Sequence, residues 1–145
     1  MSSELETPTY LKNHEALVRV FGYWPSFHDC PLFSVSSSGD VGTVVMELQA
    51  FEYTSQTDER GVFILDKHHF VSFVFSGVSE TDLSRVHIPT RLFELGFSPV
   101  AAFDASGRFR VTVDTVMGPP LDGSFVASAG EVVRVDACDE STDKV

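Results

Sequence analysis

Hydrophobic residues recur with a helical period near the start of the chain and with a period of two further along. The first pattern places five side chains on one face of a helix: Tyr10, His14, Leu17, Val18 and Phe21. Thr7 can cap this helix and Pro8 suits its first position, while Gly22 can end it in the left-handed conformation. The sequence therefore predicts one N-terminal helix that ends at Phe21.

Alternating apolar and polar residues after this helix predict half-buried β-strands. Residues 71–76 read Val-Ser-Phe-Val-Phe-Ser and residues 109–114 read Phe-Arg-Val-Thr-Val-Asp, and residues 44–50 show the same alternation. Turn signals rich in Gly, Pro, Ser and Asp lie near residues 38–40, 106–107 and 117–123. We predict strands near 32–37, 41–52, 68–76, 91–97, 99–104, 107–117, 123–128 and 130–137, in a mostly antiparallel meander.

The length and the strand pattern together indicate the fold class. A wide sheet with one apolar face must be covered, either by curling on itself or by a helix packed against it. We expect a mainly β (α+β) fold, with the N-terminal helix packed on a mostly antiparallel, strongly curved sheet; a partly open barrel and a sandwich both remain open. The 145 residues, with 43% hydrophobic residues and 13 Phe, fit a single domain over residues 1–145. The polar residues 53–66 are predicted to form a long mobile connection, and residues 139–145 a frayed tail.

The charge balance bears on the class of partner. Ten Lys and Arg residues against 21 Asp and Glu residues give a formal charge of −11. Such a field repels phosphate backbones and anionic membrane surfaces and favours basic partners, so direct binding of nucleic acid or membranes is not expected. The N-terminus lacks a basic and apolar leader, and no apolar run reaches a membrane span of roughly 18 residues, which predicts a cytoplasmic protein. Cys30 and Cys138 are expected to be free thiols, although a bridge between them stays open.

An aromatic segment, Phe21 to Asp29, contains the strongest candidates for chemistry. His28 beside Asp29 could act as a general base or a metal ligand, but consecutive residues entering a strand point to opposite faces. We favour a structural interpretation, in which His28 bonds a backbone carbonyl under the rings of Trp24 and Phe27 while Asp29 caps a turn. No catalytic residue, metal site or cofactor is predicted. The alternative is a small hydrolase or metal-dependent enzyme that uses His28 with His68 or His69.

Acidic and aromatic residues follow the second predicted strand and the polar connection after it. Glu47 is expected on the outward face of this strand, and further carboxylates come after it. Aromatic side chains beside such charges supply the anchors that binding interfaces use. The predicted partner-binding residues are Glu47, Phe51, Glu52, Tyr53, Asp58, Glu59 and Asp66.

The segment FGYWPSFHD at residues 21–29 closely resembles the opening signature of the Immunity protein 50 family of bacterial polymorphic toxin systems. Residues 70–78, 107–112, 123–125 and 132–135 resemble later and individually weaker elements of that family. The resemblance implies an all-β protein that binds and neutralises a cognate toxin without catalytic turnover. It also identifies the family-signature residues, which we interpret as structural: Tyr23, Trp24, Pro25, Phe27, His28 and Asp29.

Two departures from the family pattern bear on this expectation. Residues 30–32 read Cys-Pro-Leu where the family continues with a small residue, an acid and an aliphatic residue, and residues 85–90 replace a segment rich in Asn and Gln. Loss of the acid removes one polar group beside the signature. We expect a cytoplasmic immunity protein whose toxin partner is basic, and a nuclease toxin fits the charge. An interaction domain with a different partner is a further alternative, and paired edge strands would allow a dimer.

Overall fold

The computed structural model describes residues 7–38, 42–100, 107–115 and 123–138. Within these ranges the chain forms the short helix α1 (Glu15–Phe21) and then a series of strands. The strands are β1 (Pro31–Ser38), β2 (Thr43–Thr57), β3 (Phe63–Ser76), β4 (Ser79–Asp82), β5 (Thr90–Pro99), β6 (Phe109–Thr115), β7 (Gly123–Ala127) and β8 (Ala129–Ala137). The fold is mainly β with one short helix, as the alternating pattern predicts.

All the strands belong to one curled sheet with the order β4-β7-β6-β5-β1-β2-β3-β8. Each neighbouring pair of strands is antiparallel. β3 continues through a bend into β4, and β7 continues through a matching bend into β8. Because β3 pairs with β8 and β4 pairs with β7, these four strands form one bent two-stranded ribbon. The two halves of the ribbon lie at opposite ends of the strand order, so the sheet is curled. The edge strands β4 and β8 do not pair with each other, which leaves the sheet unclosed.

The bend of this ribbon depends on close contact between Gly77 and Ser128. The backbone N–H of Ser128 donates to Ser76 O at 3.0 Å, on the inside of the bend. A Cβ atom on Gly77 would lie 1.8 Å from Ser128 Oγ, and Gly77 has φ of +61°. A side chain at position 77 is therefore disfavoured both by the contact and by the backbone conformation.

Aromatic rings fill the concave side of the curled sheet. Phe73 and Phe75, on β3, lie 5.8 Å apart and are fully buried. Trp24 and Phe27, which precede β1, pack edge to face 5.9 Å from each other, and Phe27 is also 5.9 Å from Phe73. The aromatic segment before β1 therefore belongs to the main core, where burial of its large rings stabilises the fold.

The helix is shorter than the sequence predicts. Its end is correct, since Gly22 has φ of +83° and donates its N–H to Val18 O. Its start is wrong, because the chain before Glu15 forms turns in which Leu11, not Tyr10, is buried. Lys12 exchanges backbone hydrogen bonds with β8, donating to Gly130 O and accepting from Val132 N. These bonds to the sheet edge replace the ones that a helix would make.

The prediction that residues 53–66 form a long mobile connection is wrong. β2 and β3 continue through this region and are joined by a turn in which Asp58 Oδ1 accepts the backbone N–H groups of Arg60 and Val62. β1 pairs with β2 only as far as Leu48, and β8 pairs with β3 only from His69. Residues 51–67 therefore form a two-stranded ribbon beyond the body of the sheet, here called the hairpin arm. Tyr, Thr and Ile residues favour this extended conformation.

The remaining strands follow the prediction with shifted ends, apart from two regions. β4 was not predicted, because all four of its residues are exposed and show no apolar alternation. β5 extends to Pro99, and the separate strand predicted at 99–104 falls largely outside the described residues, as do residues 139–145. Cys30 and Cys138 are not joined in a disulfide. No helix in the described part of the chain is long and apolar enough to cross a membrane.

Candidate functional site: an aromatic cleft at the hairpin arm

A surface cleft of about 370 Å³ lies between the aromatic segment that precedes β1 and the base of the hairpin arm. One wall is formed by residues 23–28 and the other by residues 51–53 of β2. We call it the aromatic cleft; its lining residues are Tyr23, Pro25, Ser26, Phe27, His28, Phe51, Glu52 and Tyr53. The cleft unites the predicted family-signature segment with part of the predicted partner-binding surface.

The segment forming the first wall is divided between core and surface. Trp24, Pro25 and Phe27 are buried, whereas Tyr23 and His28 are exposed. Phe27 and Asp29 have positive φ angles of 63° and 65°, so the chain turns sharply here instead of entering a strand. The buried rings therefore anchor the segment while its exposed residues face the cleft.

Backbone hydrogen bonds fix the same segment to β5. Asp29 donates its N–H to Leu92 O at 2.7 Å, and Leu92 donates to Cys30 O at 2.9 Å. Arg91 Nη1 donates to Asp29 O at 2.8 Å. This wall of the cleft is held at the start of β5, a strand that is distant in sequence.

A hydrogen bond between side chains connects the two walls. The Tyr53 hydroxyl, on the hairpin arm, donates to Asp29 Oδ2 at 2.5 Å. Burial of the phenol, together with this bond and the negative charge of Asp29, raises the pKa of Tyr53 above its usual value. Tyr53 therefore remains a neutral hydrogen-bond donor at physiological pH. Asp29 thus accepts a bond from the arm, whereas the sequence interpretation had it capping a turn.

His28 makes the backbone contact that the sequence predicts, but in different surroundings. Its Nδ1 lies 2.9 Å from Phe93 O, and its ring packs edge to face against Phe93 at 5.4 Å, not under Trp24 and Phe27. A carbonyl only accepts, so Nδ1 carries the proton and Nε2 is left 3.6 Å from Asp29 Oδ2. The expectation that adjacent His28 and Asp29 side chains would point apart is wrong, because they lie in a turn.

An ion pair lies at the arm side of the cleft. Lys67 Nζ is 3.0 Å from Glu52 Oε1, and this contact with Glu52 raises the pKa of Lys67. Burial, and then the charge of Glu52, raises the pKa of Tyr23, while Lys67 opposes this shift. Glu52 is therefore already paired within the protein and does not act as an isolated negative charge.

The other predicted acidic residues lie outside the cleft lining. Glu47 is on the outward face of β2, as predicted, and accepts a hydrogen bond from Ser34 Oγ. Asp58 shapes the turn at the tip of the arm, where the backbone N–H groups of Val62 and Arg60 lower its pKa. Asp66 accepts the N–H of Lys67, and Glu59 is exposed in the turn. The predicted partner-binding residues thus extend along the arm, and three of them reach the cleft: Phe51, Glu52 and Tyr53.

The two neighbouring histidines of β3 have separate surroundings. His68 is buried, and its Nδ1 lies 3.2 Å from Gln49 Nε2. His69 Nδ1 lies 2.9 Å from Lys67 O. Among the residues that the structure describes, no three His, Cys, Asp or Glu side chains are grouped in a way that could hold a metal ion. The ring of His28 instead contacts Asp29 and Phe93, so the three histidines have different partners.

Phe93 was not among the predicted site residues. It belongs to β5, is 54% exposed, and packs on His28 at the edge of the cleft. Tyr23 and Tyr53, which line the cleft, are 47% and 45% exposed, so with Phe93 three large aromatic side chains are exposed in the cleft or beside it. The sequence signal for the exposure of Phe93 is the spacing of Leu92 and Leu95. Both residues are in the core, and two core residues three positions apart in a strand indicate a bulge between them.

The fold and the site define a curled antiparallel β-sheet protein with an aromatic cleft on its surface. Comparison with protein families, with curated proteins and with solved structures found no match to this chain. The features that bear on function are therefore the geometry of the cleft, the charge of the chain and the signature in residues 21–29.

Proposed function

We propose that this chain is a bacterial immunity protein that binds and neutralises a cognate toxin in the cytoplasm by forming a stoichiometric complex. The observation that supports the proposal is the group of exposed aromatic side chains at the aromatic cleft: Tyr23 and Tyr53 line it, and Phe93 packs against its lining residue His28. Tyrosine and other aromatic residues are enriched in protein interfaces, where a few such anchors supply most of the binding energy. We propose the aromatic cleft as the centre of the contact.

The construction of the cleft suits binding without large rearrangement. Its two walls are connected by the bond from Tyr53 to Asp29, and one wall is fixed to β5 through Leu92. A site that is rigid before association loses less conformational entropy when the partner binds. The cleft therefore has the preorganisation that a tight inhibitor needs.

The charge of the chain supports a basic partner. The formal charge is −11, and Asp58, Glu59 and Asp66 lie on the hairpin arm next to the cleft. Complementary charge accelerates association and disfavours wrong partners. A nuclease toxin, whose own substrate is a polyanion, presents the positive surface that this arrangement favours.

Binding without turnover is the chemistry that the surroundings of His28 support. Nδ1 is held by the carbonyl of Phe93, and Nε2 faces a carboxylate. The Ser26 hydroxyl accepts the backbone N–H of His28, whereas the ring bonds the carbonyl of Phe93, so within the described residues no hydroxyl or thiol is hydrogen-bonded to the ring for activation as a nucleophile. We therefore place the hydrolase alternative behind the binding function.

Growth rescue provides the test. The product of each gene adjacent to the one for this chain is expressed under an inducible promoter, with and without the immunity candidate. We expect one product to arrest growth and the wild-type chain to restore it. A variant carrying both Tyr23→Ala and Phe93→Ala should fail to restore growth, whereas Val133→Ala, at an exposed position of β8, should behave like wild type. If no adjacent product is neutralised by the wild-type chain, the proposed function is wrong.

A further inference from the structure

The lining of the aromatic cleft has the composition of a site for an organic cation. Four of its lining residues are aromatic: Tyr23, Phe27, Phe51 and Tyr53. Phe27 and Phe51 are buried, and the two tyrosines are exposed. The face of an aromatic ring attracts a cation, and a planar guanidinium group can also stack on it. An arginine side chain is thus better suited to these walls than a compact ammonium group.

Two carboxylates beside the rings retain oxygen atoms that can accept further hydrogen bonds. Asp29 uses Oδ2 for Tyr53, and Glu52 uses Oε1 for Lys67. No described residue donates to Asp29 Oδ1 or to Glu52 Oε2, and these two side chains are 37% and 28% exposed. Charge-assisted bonds from a guanidinium to such oxygens are among the stronger polar contacts in proteins.

Two cations of the chain itself set the strength of this site. Lys67 pairs with Glu52, while Arg91 holds Asp29 through its backbone oxygen. They balance the charges of the two carboxylates, so net attraction for a further cation comes from the rest of the acidic chain. Lys67 is 38% exposed and occupies one oxygen of Glu52. Its removal should therefore strengthen the binding of an external cation.

The edges of the hairpin arm are less suited to recognition through backbone hydrogen bonds. The register of β2 against β3 is interrupted between Ala50 and Glu52 and again between Tyr53 and Thr57. Irregularities of this kind disfavour the addition of another strand. A partner should accordingly be recognised here through a side chain that enters the cleft.

We propose that the aromatic cleft is a receptor for an arginine side chain that the basic partner presents. The inference depends on the proposed function for the identity of that partner only, since the binding of arginine can be measured without it. The rings provide stacking, and the open oxygens of Asp29 and Glu52 accept the guanidinium N–H groups.

The test uses the full chain with its tyrosine rings labelled with ¹³C. The chain has three tyrosines, so each gives a signal that a Tyr→Phe variant can assign. The probe is acetyl-Gly-Arg-Gly-amide, and the matched control is the same peptide with citrulline, which is close in shape and uncharged. We expect the arginine peptide to shift the signals of Tyr23 and Tyr53 saturably at low salt. Tyr10, which is 39% exposed and packs on Phe109, should not respond.

Two variants test the electrostatic contribution to binding of the arginine peptide. Glu52→Gln should weaken binding of the arginine peptide, and Lys67→Met should tighten it, each by about twofold to fivefold. An unchanged Tyr10 signal reports that each variant is folded. Equal responses to the arginine and citrulline peptides, a response of Tyr10 alone, or no response at all would overturn the proposal.

The outcome separates this inference from the proposed function. If the arginine peptide does not bind while growth rescue succeeds, the chain is an immunity protein that recognises its toxin in another way. If the arginine peptide binds while no adjacent gene product is neutralised, the cleft serves a basic partner other than a toxin.

Discussion

The hydrogen bond from Tyr53 to Asp29 makes a definite prediction for the substitution Tyr53→Phe. This change removes the hydroxyl and leaves the ring, including its edge-to-face contact with Phe51 at 5.6 Å. A bond to a charged acceptor contributes about 1.5–3 kcal/mol when it is shielded from water. Tyr53 is 45% exposed and the side chain of Asp29 is 37% exposed, so water replaces part of the lost interaction. We expect the free energy of unfolding to fall by about 1 kcal/mol.

The matched control for this substitution is Tyr23→Phe. Tyr23 is also exposed and lines the same cleft, but its hydroxyl makes no hydrogen bond within the described residues. Loss of the Tyr23 hydroxyl should change the free energy of unfolding by less than about 0.5 kcal/mol. Urea unfolding followed by the fluorescence of Trp24 measures both variants. Equal effects of the two substitutions would contradict the role assigned to the bond.

A double-mutant cycle isolates the interaction between the two walls. Asp29→Asn suits the positive φ of 65° at this position, because Asn tolerates the left-handed conformation. Asn keeps an oxygen that can accept the bond from Tyr53, so combining this change with Tyr53→Phe isolates the part of the bond that depends on the charge of Asp29, with an expected coupling energy of about 0.5–1 kcal/mol. A coupling energy near zero would show that the charge of Asp29 does not strengthen its bond with Tyr53.

The raised pKa of Tyr53 adds a dependence on pH. The pKa of Tyr53 in the folded chain lies above the unfolded value of about 10. The stabilisation that the neutral phenol gives to the folded chain is therefore complete below about pH 10 and is lost as the pH rises beyond it. Wild type should therefore lose stability more steeply than Tyr53→Phe at alkaline pH. Absorbance at 295 nm should show one fewer late-ionising tyrosine in the variant. Parallel stability curves above pH 10 would refute this assignment.

Two further comparisons test the fold and the site. Gly77→Ala should destabilise the chain by at least about 1 kcal/mol more than Gly61→Ala, since both positions have positive φ but only Gly77 lies against Ser128. Thermal unfolding measures the difference, and equal effects would contradict the tight bend. Phe73→Ala should lower the free energy of unfolding by about 3–5 kcal/mol because Phe73 is fully buried, whereas Phe93→Ala should lower it by less than about 1 kcal/mol. Urea unfolding measures both variants. A large effect at Phe93 would mean that this side chain supports the fold instead of facing a partner.

The parts of the fold that could be predicted from the sequence are those set by local patterns. Alternation of apolar residues placed most of the strands, and Gly22 marked the end of the helix. The start of the helix was wrong because the backbone of Lys12 bonds to β8, which lies far away in the sequence. The polar side chains of the hairpin arm predict a loop, although its backbone pairs as two strands around the turn at Asp58.

The aromatic cleft could be predicted only in pieces. The signature segment and the acidic strand were each recognised, but their contact depends on the bond from Tyr53 to Asp29 across the curled sheet. The segment was interpreted as purely structural, whereas Tyr23 and His28 are exposed in the cleft. Phe93 was missed because strict alternation with Leu95 predicts that it is buried. Its exposure follows from an irregularity in the pairing of β5 with β6, and the spacing of Leu92 and Leu95 is the sign of this irregularity in the sequence.

The central claim is that the aromatic cleft binds a toxin in a stoichiometric complex. Size-exclusion chromatography with light scattering, on this chain mixed with the purified product of the adjacent gene, tests it most directly. We expect a one-to-one complex with wild type and with Val133→Ala, and a complex lost or strongly weakened when Tyr23→Ala and Phe93→Ala are combined. A complex that forms equally well with the cleft variant, or no complex with wild type, would contradict the claim.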